Sequence, residues 1–330
     1  MLRLALACLV AVLVAAPASA ACRGSNLINT LAAETLAGLR AAADAAPFAR
    51  GNLWRATRGD QVLHLIGTFH LDDPRHDALM ARLAPLIDGA STVLVEAGPE
   101  EEAALQAALA ADPSLVFLTN GPTLPETLAP ATWDRLTDAL RARSIPPFLG
   151  AKMRPAYLSM LLSLPPCALN SATEPQSGLD RRIIARTRAQ DIPLRALEPF
   201  SVVFDIFSDM TLADQVALLD LSLALDAQSE DVFATLTDAY FAEDSRMIWE
   251  FSRWQALTLP GLDAAQVADD FALMEDRMMT ARNRAWIPVI EAALADGPAL
   301  AAFGALHLSG EDGVLALLQQ AGFTLERLEL

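Results

Sequence analysis

The chain has 330 residues, 53% of them apolar and 20% charged, with a formal net charge of −17. That balance describes a globular protein with ample material for a core. Phosphate backbones repel such a surface, which argues against nucleic acid and anionic membranes as partners and leaves a positively charged peptide or a metal cation compatible. In chain order, Met1 to Ala20 reads as a secretory leader, with Arg3, an apolar run from Leu4 to Ala16 and a small-residue exit at Ala18-Ser19-Ala20. The run is shorter than the ~20 residues that span a bilayer, and no later stretch is both longer and free of proline or charge. The expectation is a mature chain from residue 21, periplasmic or secreted, with no stable membrane span. Ser19-Ala20-Ala21-Cys22 invites comparison with a lipoprotein box but has Ser19 where that box wants Leu. Simple secretion is the preferred reading.

Leu27 to Ala46 has the composition of an amphipathic helix. Leu53 to Thr57, the turn Arg58-Gly59-Asp60 and the strand Gln61 to Ile66 form a predicted hairpin. A helix over Asp77 to Asp88 precedes the β-branched run Ser91 to Glu96. From about residue 100 to 296 the pattern is mainly helical, punctuated by prolines, with one short strand at Pro193 to Glu198 and one long helix from about Asp263 to Leu294. The end returns to strand, helix and strand at Ala299 to Gly304, Gly310 to Ala321 and Phe323 to Leu328. The predicted fold is mixed α/β in a single domain, residues 21–330, with a sheet built from both ends of the chain and a large helical insertion between them.

Two short patterns close apolar strands: Gly67-Thr68-Phe69-His70 and Gly304-Ala305-Leu306-His307. Ligands gather beyond the carboxyl ends of strands in open sheets, and a glycine there frees the backbone to turn each histidine into a crevice. Glu96 ends a third strand. Two imidazoles and a carboxylate make an open site for a divalent metal such as Zn, Mn or Co, and a water on that metal becomes a nucleophile for amide or ester bonds. Arg282 is a candidate for holding a substrate carboxylate or a developing oxyanion. Glu198 and Asp180 are candidate outer partners or proton carriers. Each has a plainer reading: a strand-end histidine held in the core, a helix-face arginine, an Asp180 that favours a helix N-terminus. His64 lies too far along its strand to share a metal with His70, and His76, between Arg75 and Asp77, is expected at an exposed helix start. Trp249, Phe251 and Trp254 read as core or groove wall. Of three cysteines, Cys8 leaves with the leader, and Cys22 and Cys167 are predicted to pair, with free thiols or an intermolecular link as the alternative.

Taken in order, Gly67-Thr68-Phe69-His70, Val93-Leu94-Val95-Glu96, Gly178-Leu179-Asp180, Leu197-Glu198, Arg282-Asn283 with Trp286, and Gly304 to Gly310 resemble the TraB/GumN family, with its PrgY-type and TIKI-type members. The resemblance runs from about Asn52 to Leu330. It implies an α/β body distantly similar to the erythromycin esterase and ChaN-like group and, in TIKI-type members, metal-dependent peptidase activity. Carried over, the family's histidines fall on His70 and His307, its acid on Glu96 and its Arg-Asn pair on Arg282 and Asn283. No HExxH helix is present. The expected function is metal-assisted hydrolysis of a peptide or related amide. The alternatives are a non-catalytic haem-, metal- or peptide-binding protein and a metal-independent esterase-like hydrolase. The sequence does not fix the oligomeric state.

Overall fold

A computed structural model describes residues 22–172, 178–259 and 263–330; the leader expected over Met1 to Ala20 lies outside the described residues. Six strands form one sheet in the order β4-β3-β5-β2-β1-β6: β1 Leu53–Arg58, β2 Gln61–Thr68, β3 Thr92–Val95, β4 Leu194–Ala196, β5 Ala299–Gly304 and β6 Thr324–Leu328. The four strands β4, β3, β5 and β2 run parallel, and β1 and β6 extend the sheet antiparallel. The chain's two ends and its middle therefore meet in one sheet, as the composition of the segments predicts.

Parallel strands need cover on both faces, and the alternation along β5 provides it. Ala299, Ala301 and Phe303 pack on one side with Leu63, Leu65, Trp286, Ile290, Leu315 and Leu318. Leu300 and Ala302 pack on the other with Ile66, Val93, Val95, Leu83, Ile87, Leu179 and Ile183. A separate helical cluster holds Leu124, Leu136, Leu140, Leu158 and Leu219. Phe251 is fully buried beside Trp254, and Trp249 packs edge-on to Phe271, so these aromatics are core.

Several predicted elements are shorter than their patterns. Leu27 to Ala46 divides into a 3₁₀ turn, Leu27–Thr30, and a helix, Ala33–Asp44, because Leu31 and Ala32 are extended between them. The last helix begins at Val314, since a left-handed Gly310 (φ +102°) occupies the stretch before it. The long helix before β5 is broken: Ala264–Glu275 and Ala281–Ala293 are joined by a π-helical turn, Asp276–Thr280. Residues 173–177 and 260–262 lie outside the description. Cys22 and Cys167 form a disulfide with Cα atoms 5.3 Å apart.

Candidate functional site

The register of the parallel strands pairs Thr68 with Gly304, and Val95 with both Ala302 and Ala196. Their carboxyl ends therefore finish level. His70 follows β2, Glu96 follows β3, Glu198 follows β4 and His307 follows β5 by one to three residues each, so the four side chains enter one crevice. Ordinary strand chemistry delivers them there: the apolar runs end, and the first polar residues after them have no core to enter.

Glycine makes the convergence possible, though not by turning the backbone. A Cβ on Gly67 would stand 2.8 Å from the Ala305 Cα, so its absence lets β2 close against the turn Ala305–His307. A Cβ on Gly304 would stand 3.2 Å from Glu96 Oε1, 3.6 Å from His307 Cδ2 and 3.7 Å from His70 Nε2. Three functional groups thus surround a point kept empty by one hydrogen. Gly178 does need its left-handed φ of +76°, and a Cβ there would meet the His70 carbonyl at 2.3 Å. That close approach, with Leu179 N–H donating to the Phe69 carbonyl, seats the first turn of the helix Gly178–Ala189 beside His70.

Asp180 in that turn accepts from His70 Nδ1 at 3.0 Å. A carboxylate only accepts, so Nδ1 carries a proton and Nε2 is the atom free to act. Asp180 raises the His70 imidazole to about 9, against burial and with help from Glu96. The ring is 63% exposed, so a substrate can reach it and solvent screens part of this effect.

His307 is the opposite case, a buried ring at 5% exposure. Its Nδ1 donates to Asn283 Oδ1 at 2.6 Å, while Asn283 Nδ2 donates to the Asp312 carbonyl, which fixes the amide's orientation. Burial lowers His307 to about 4, with Arg282 and His70 adding to the effect and Glu96 opposing it. Burial would raise Glu96, but His307, His70, Arg282 and the Gly304 N–H outweigh it and bring the carboxyl to about 2.

Arg282 binds the centre together. Its Nε and Nη2 grip Glu198 at 2.9 and 2.6 Å, Nη2 also donates to Glu96 at 2.9 Å, and Nη1 donates to the Met278 carbonyl and faces His307 Nε2 at 3.3 Å. All five guanidinium N–H groups are thereby used. Arg282 thus holds two acids in place, and in this arrangement no N–H group is spare for the substrate carboxylate or developing oxyanion expected of it. Glu198 is in turn held by Trp286 Nε1 at 2.9 Å, and the Trp286 ring lies 4.4 Å from that of His307. The π-helical turn ends one residue before the helix that carries Arg282 and Asn283, the kind of irregularity found at functional positions.

His76 corrects another expectation. It is fully buried, not an exposed helix start: its Nε2 donates to the Leu71 carbonyl and its ring packs against Phe69, Tyr240 and Phe241. His64 is half-buried in mid-strand. Tyr240, which no sequence motif marks, donates its hydroxyl to the Gly67 carbonyl and stacks its ring on Phe69 at 5.3 Å. Its only signal was an aromatic in a helical segment, which points nowhere in particular.

The donor types suit a divalent cation in part: both imidazoles spend Nδ1 on an outer partner, and His70 Nε2 faces the crevice near Glu96 Oε1 at the space over Gly304, but His307 Nε2 is already faced by Arg282 Nη1 at 3.3 Å. The spacing is wider than that of a closed metal centre. Among the described residues no group of three His, Cys, Asp or Glu stands close enough to hold an ion.

Fold and site together define a mixed α/β protein with a titratable crevice beyond the carboxyl ends of four parallel strands. The chain belongs to the TraB/PrgY/gumN family, whose model matches residues 52–327. No curated protein matches it. Among the described residues no helix is long and apolar enough to cross a membrane.

Proposed function

We propose that the crevice hydrolyses a peptide or related amide, with His70 as proton donor and His307 as proton acceptor. The observation that carries this reading is the convergence of two imidazoles in unlike settings on the space over Gly304: His70, exposed and bonded to the Asp180 carboxylate, which favours its cation, and His307, buried on the Asn283 amide, which favours its neutral form. Environments that push two titratable groups apart assign an acid and a base at neutral pH. His70, protonated and exposed, delivers a proton from Nε2 to the leaving amine, and Asp180 keeps its ring in position. His307, neutral and with Asn283 holding its tautomer, turns Nε2 from Arg282 Nη1, 3.3 Å away, to take a proton from a water whose oxygen bonds the carbonyl carbon as the C–N bond breaks. Glu96 fixes a negative charge beside the His70 cation and is itself held by Arg282 and the Gly304 N–H.

A divalent ion such as Zn, Mn or Co is the alternative to this acid–base pair and not an addition to it: His70, Glu96 and His307 would hold it only with both imidazoles unprotonated at Nε2 and drawn closer than they stand here. Such an ion, when bound, supplies a water of lowered pKa and polarises the carbonyl. Export to the periplasm or beyond fits this reading, since the Cys22–Cys167 bridge belongs to an oxidising compartment.

The test is turnover of a peptide library by the mature protein. His70→Ala, Glu96→Gln and His307→Ala are each expected to lower turnover by about 100-fold or more. Turnover unchanged in all three would remove the reading, and binding without turnover in the parent would leave a capture protein instead. Metal analysis with chelation and readdition separates metal-assisted from metal-free hydrolysis.

A further inference from the structure

A cavity of about 540 Å³ lies between the end of the helix Ala33–Asp44, the π-helical turn and residues 309–313. It shares Asn283 with the His307 site, but His70, Glu96 and Arg282 do not line it. We propose that this cavity is a second binding site, for a zwitterionic short peptide, and that its occupancy is transmitted to His307 through Asn283.

The size is that of small-molecule sites, roughly 300 to 1,000 Å³. The choice of ligand follows from the lining charges. Arg246, with only 15% of its side chain exposed, spends three N–H groups on Glu250 and Glu275 and has two left. Gly310 faces it: a Cβ there would stand 3.6 Å from Arg246 Nη1, and the φ of +102° disfavours any side chain that would cover the guanidinium. Ser309 Oγ is buried without a hydrogen-bond partner in the same wall. On the rim, Asp276 and Glu311 are exposed and make no ion pair among the described residues. Glu275 and Asp312 also line the cavity but are spent on Arg246 and Arg284, so the groups left for a ligand are the acids Asp276 and Glu311 on the rim and, in the wall, the two remaining Arg246 N–H groups and Ser309 Oγ. A molecule with a carboxylate at one end and an ammonium at the other satisfies both signs.

The link to the first site is short. Arg284 Nη2 donates to Asp312 Oδ1 at 2.8 Å, the Asp312 carbonyl accepts from Asn283 Nδ2 at 2.9 Å, and Asn283 Oδ1 accepts from His307 Nδ1 at 2.6 Å. A ligand that draws on Arg284 or on the 310–313 backbone acts on the amide that sets the His307 tautomer. Coupling of this kind is reciprocal, so a change at His307 alters affinity in the cavity. The choice of a peptide rests on the hydrolytic reading above. The cavity and its connection do not.

The experiment titrates alanyl-alanine, and separately its N-acetylated amide, into the full mature chain carrying His70→Ala, so that binding is read without turnover. Backbone NMR signals of Gly310 and Gly313 and the side-chain amide of Asn283 report occupancy. Expected are saturable shifts with the free dipeptide, none with the blocked one, and affinity weakened at least about tenfold by Ala46→Trp, which fills the wall, and by Arg246→Lys. The proposal is overturned by no saturable shift up to about 10 mM, by equal response to the blocked peptide, or by unchanged affinity in Ala46→Trp. Failure of the hydrolytic reading appears separately, as turnover unaffected by His70→Ala.

Discussion

Arg282 is the residue on which the crevice's charge balance turns. It stands at 14% side-chain exposure between Glu96 at 19% and Glu198 at 12%. Removing one partner of a buried ion pair is far costlier than the pair's own net worth, because it strands charge in a poor solvent. Arg282→Met is therefore expected to cost about 3 kcal/mol or more, read by urea unfolding. Replacing Arg282 and both acids together with apolar residues should recover much of that loss. The two histidines give the protein opposite pH dependences. His307 is depressed to about 4, so as pH falls from 6.5 the unfolded chain takes a proton that the folded chain refuses, and stability declines toward pH 4. His70 is raised to about 9, so its contribution is whole below 6.5 and is lost as pH rises through 9, weakened by solvent at its exposed ring. Ring NMR of the chelator-treated protein should find His70 titrating well above His307. Asp180→Asn should bring His70 back toward 6.5 and leave His307 near its place.

Strand ends and the turns after them do the positioning, and they are also where the sequence spoke most clearly. An apolar run that stops at Gly-x-x-His is legible because burial and its termination are written in adjacent letters, at His70 and again at His307. Asp180 and Asn283 were legible only as weak candidates, since the contacts that make them partners join residues 110 and 24 positions apart. His76 was misread for the same reason: its neighbours Tyr240 and Phe241 come from the helix Ser229–Phe241, and nothing local announces them. The π-helical turn left no mark in the helical periodicity of the segment. Gly304 tests the positioning directly. A methyl there would meet Glu96 Oε1 at 3.2 Å and fill the space between the imidazoles. Gly304→Ala is expected to reduce turnover by about 100-fold or more while lowering stability by only about 1 kcal/mol. Gly67→Ala, which drives a Cβ into the Ala305 backbone, should instead cost about 1 to 3 kcal/mol. Together the variants separate an occupied crevice from a strained sheet, with thermal unfolding and activity as the two readouts.

At the scale of the molecule, the N-terminal segment is a strap that crosses the helical insertion. Arg23 and Ser25 donate backbone N–H groups to Glu230 and Asp231, Leu27 N–H donates to Thr235, and Cys22 is bonded to Cys167 on the helix Pro166–Ala172. The disulfide closes a span of 145 residues that contains β1 to β3 and the helix Pro155–Leu162 and ends in the first turn of the helix Pro166–Ala172. Loop-closure entropy for so long a span predicts a loss of about 2 to 5 kcal/mol on reduction, the upper end if the native bridge is unstrained. The two apolar clusters that sandwich the sheet contain neither cysteine nor any residue of the strap. The Cys22→Ser, Cys167→Ser pair should thus keep the sheet and the His70, Glu96 and His307 arrangement while freeing residues 22–31. Hydrogen exchange would then speed up in the strap and in the facing helix Ser229–Phe241, with β2, β3 and β5 still protected to near the global stability. Equal loosening of β5 would mean that the strap holds the sheet as well as the insertion, and that the crevice depends on the redox state of the Cys22–Cys167 bond.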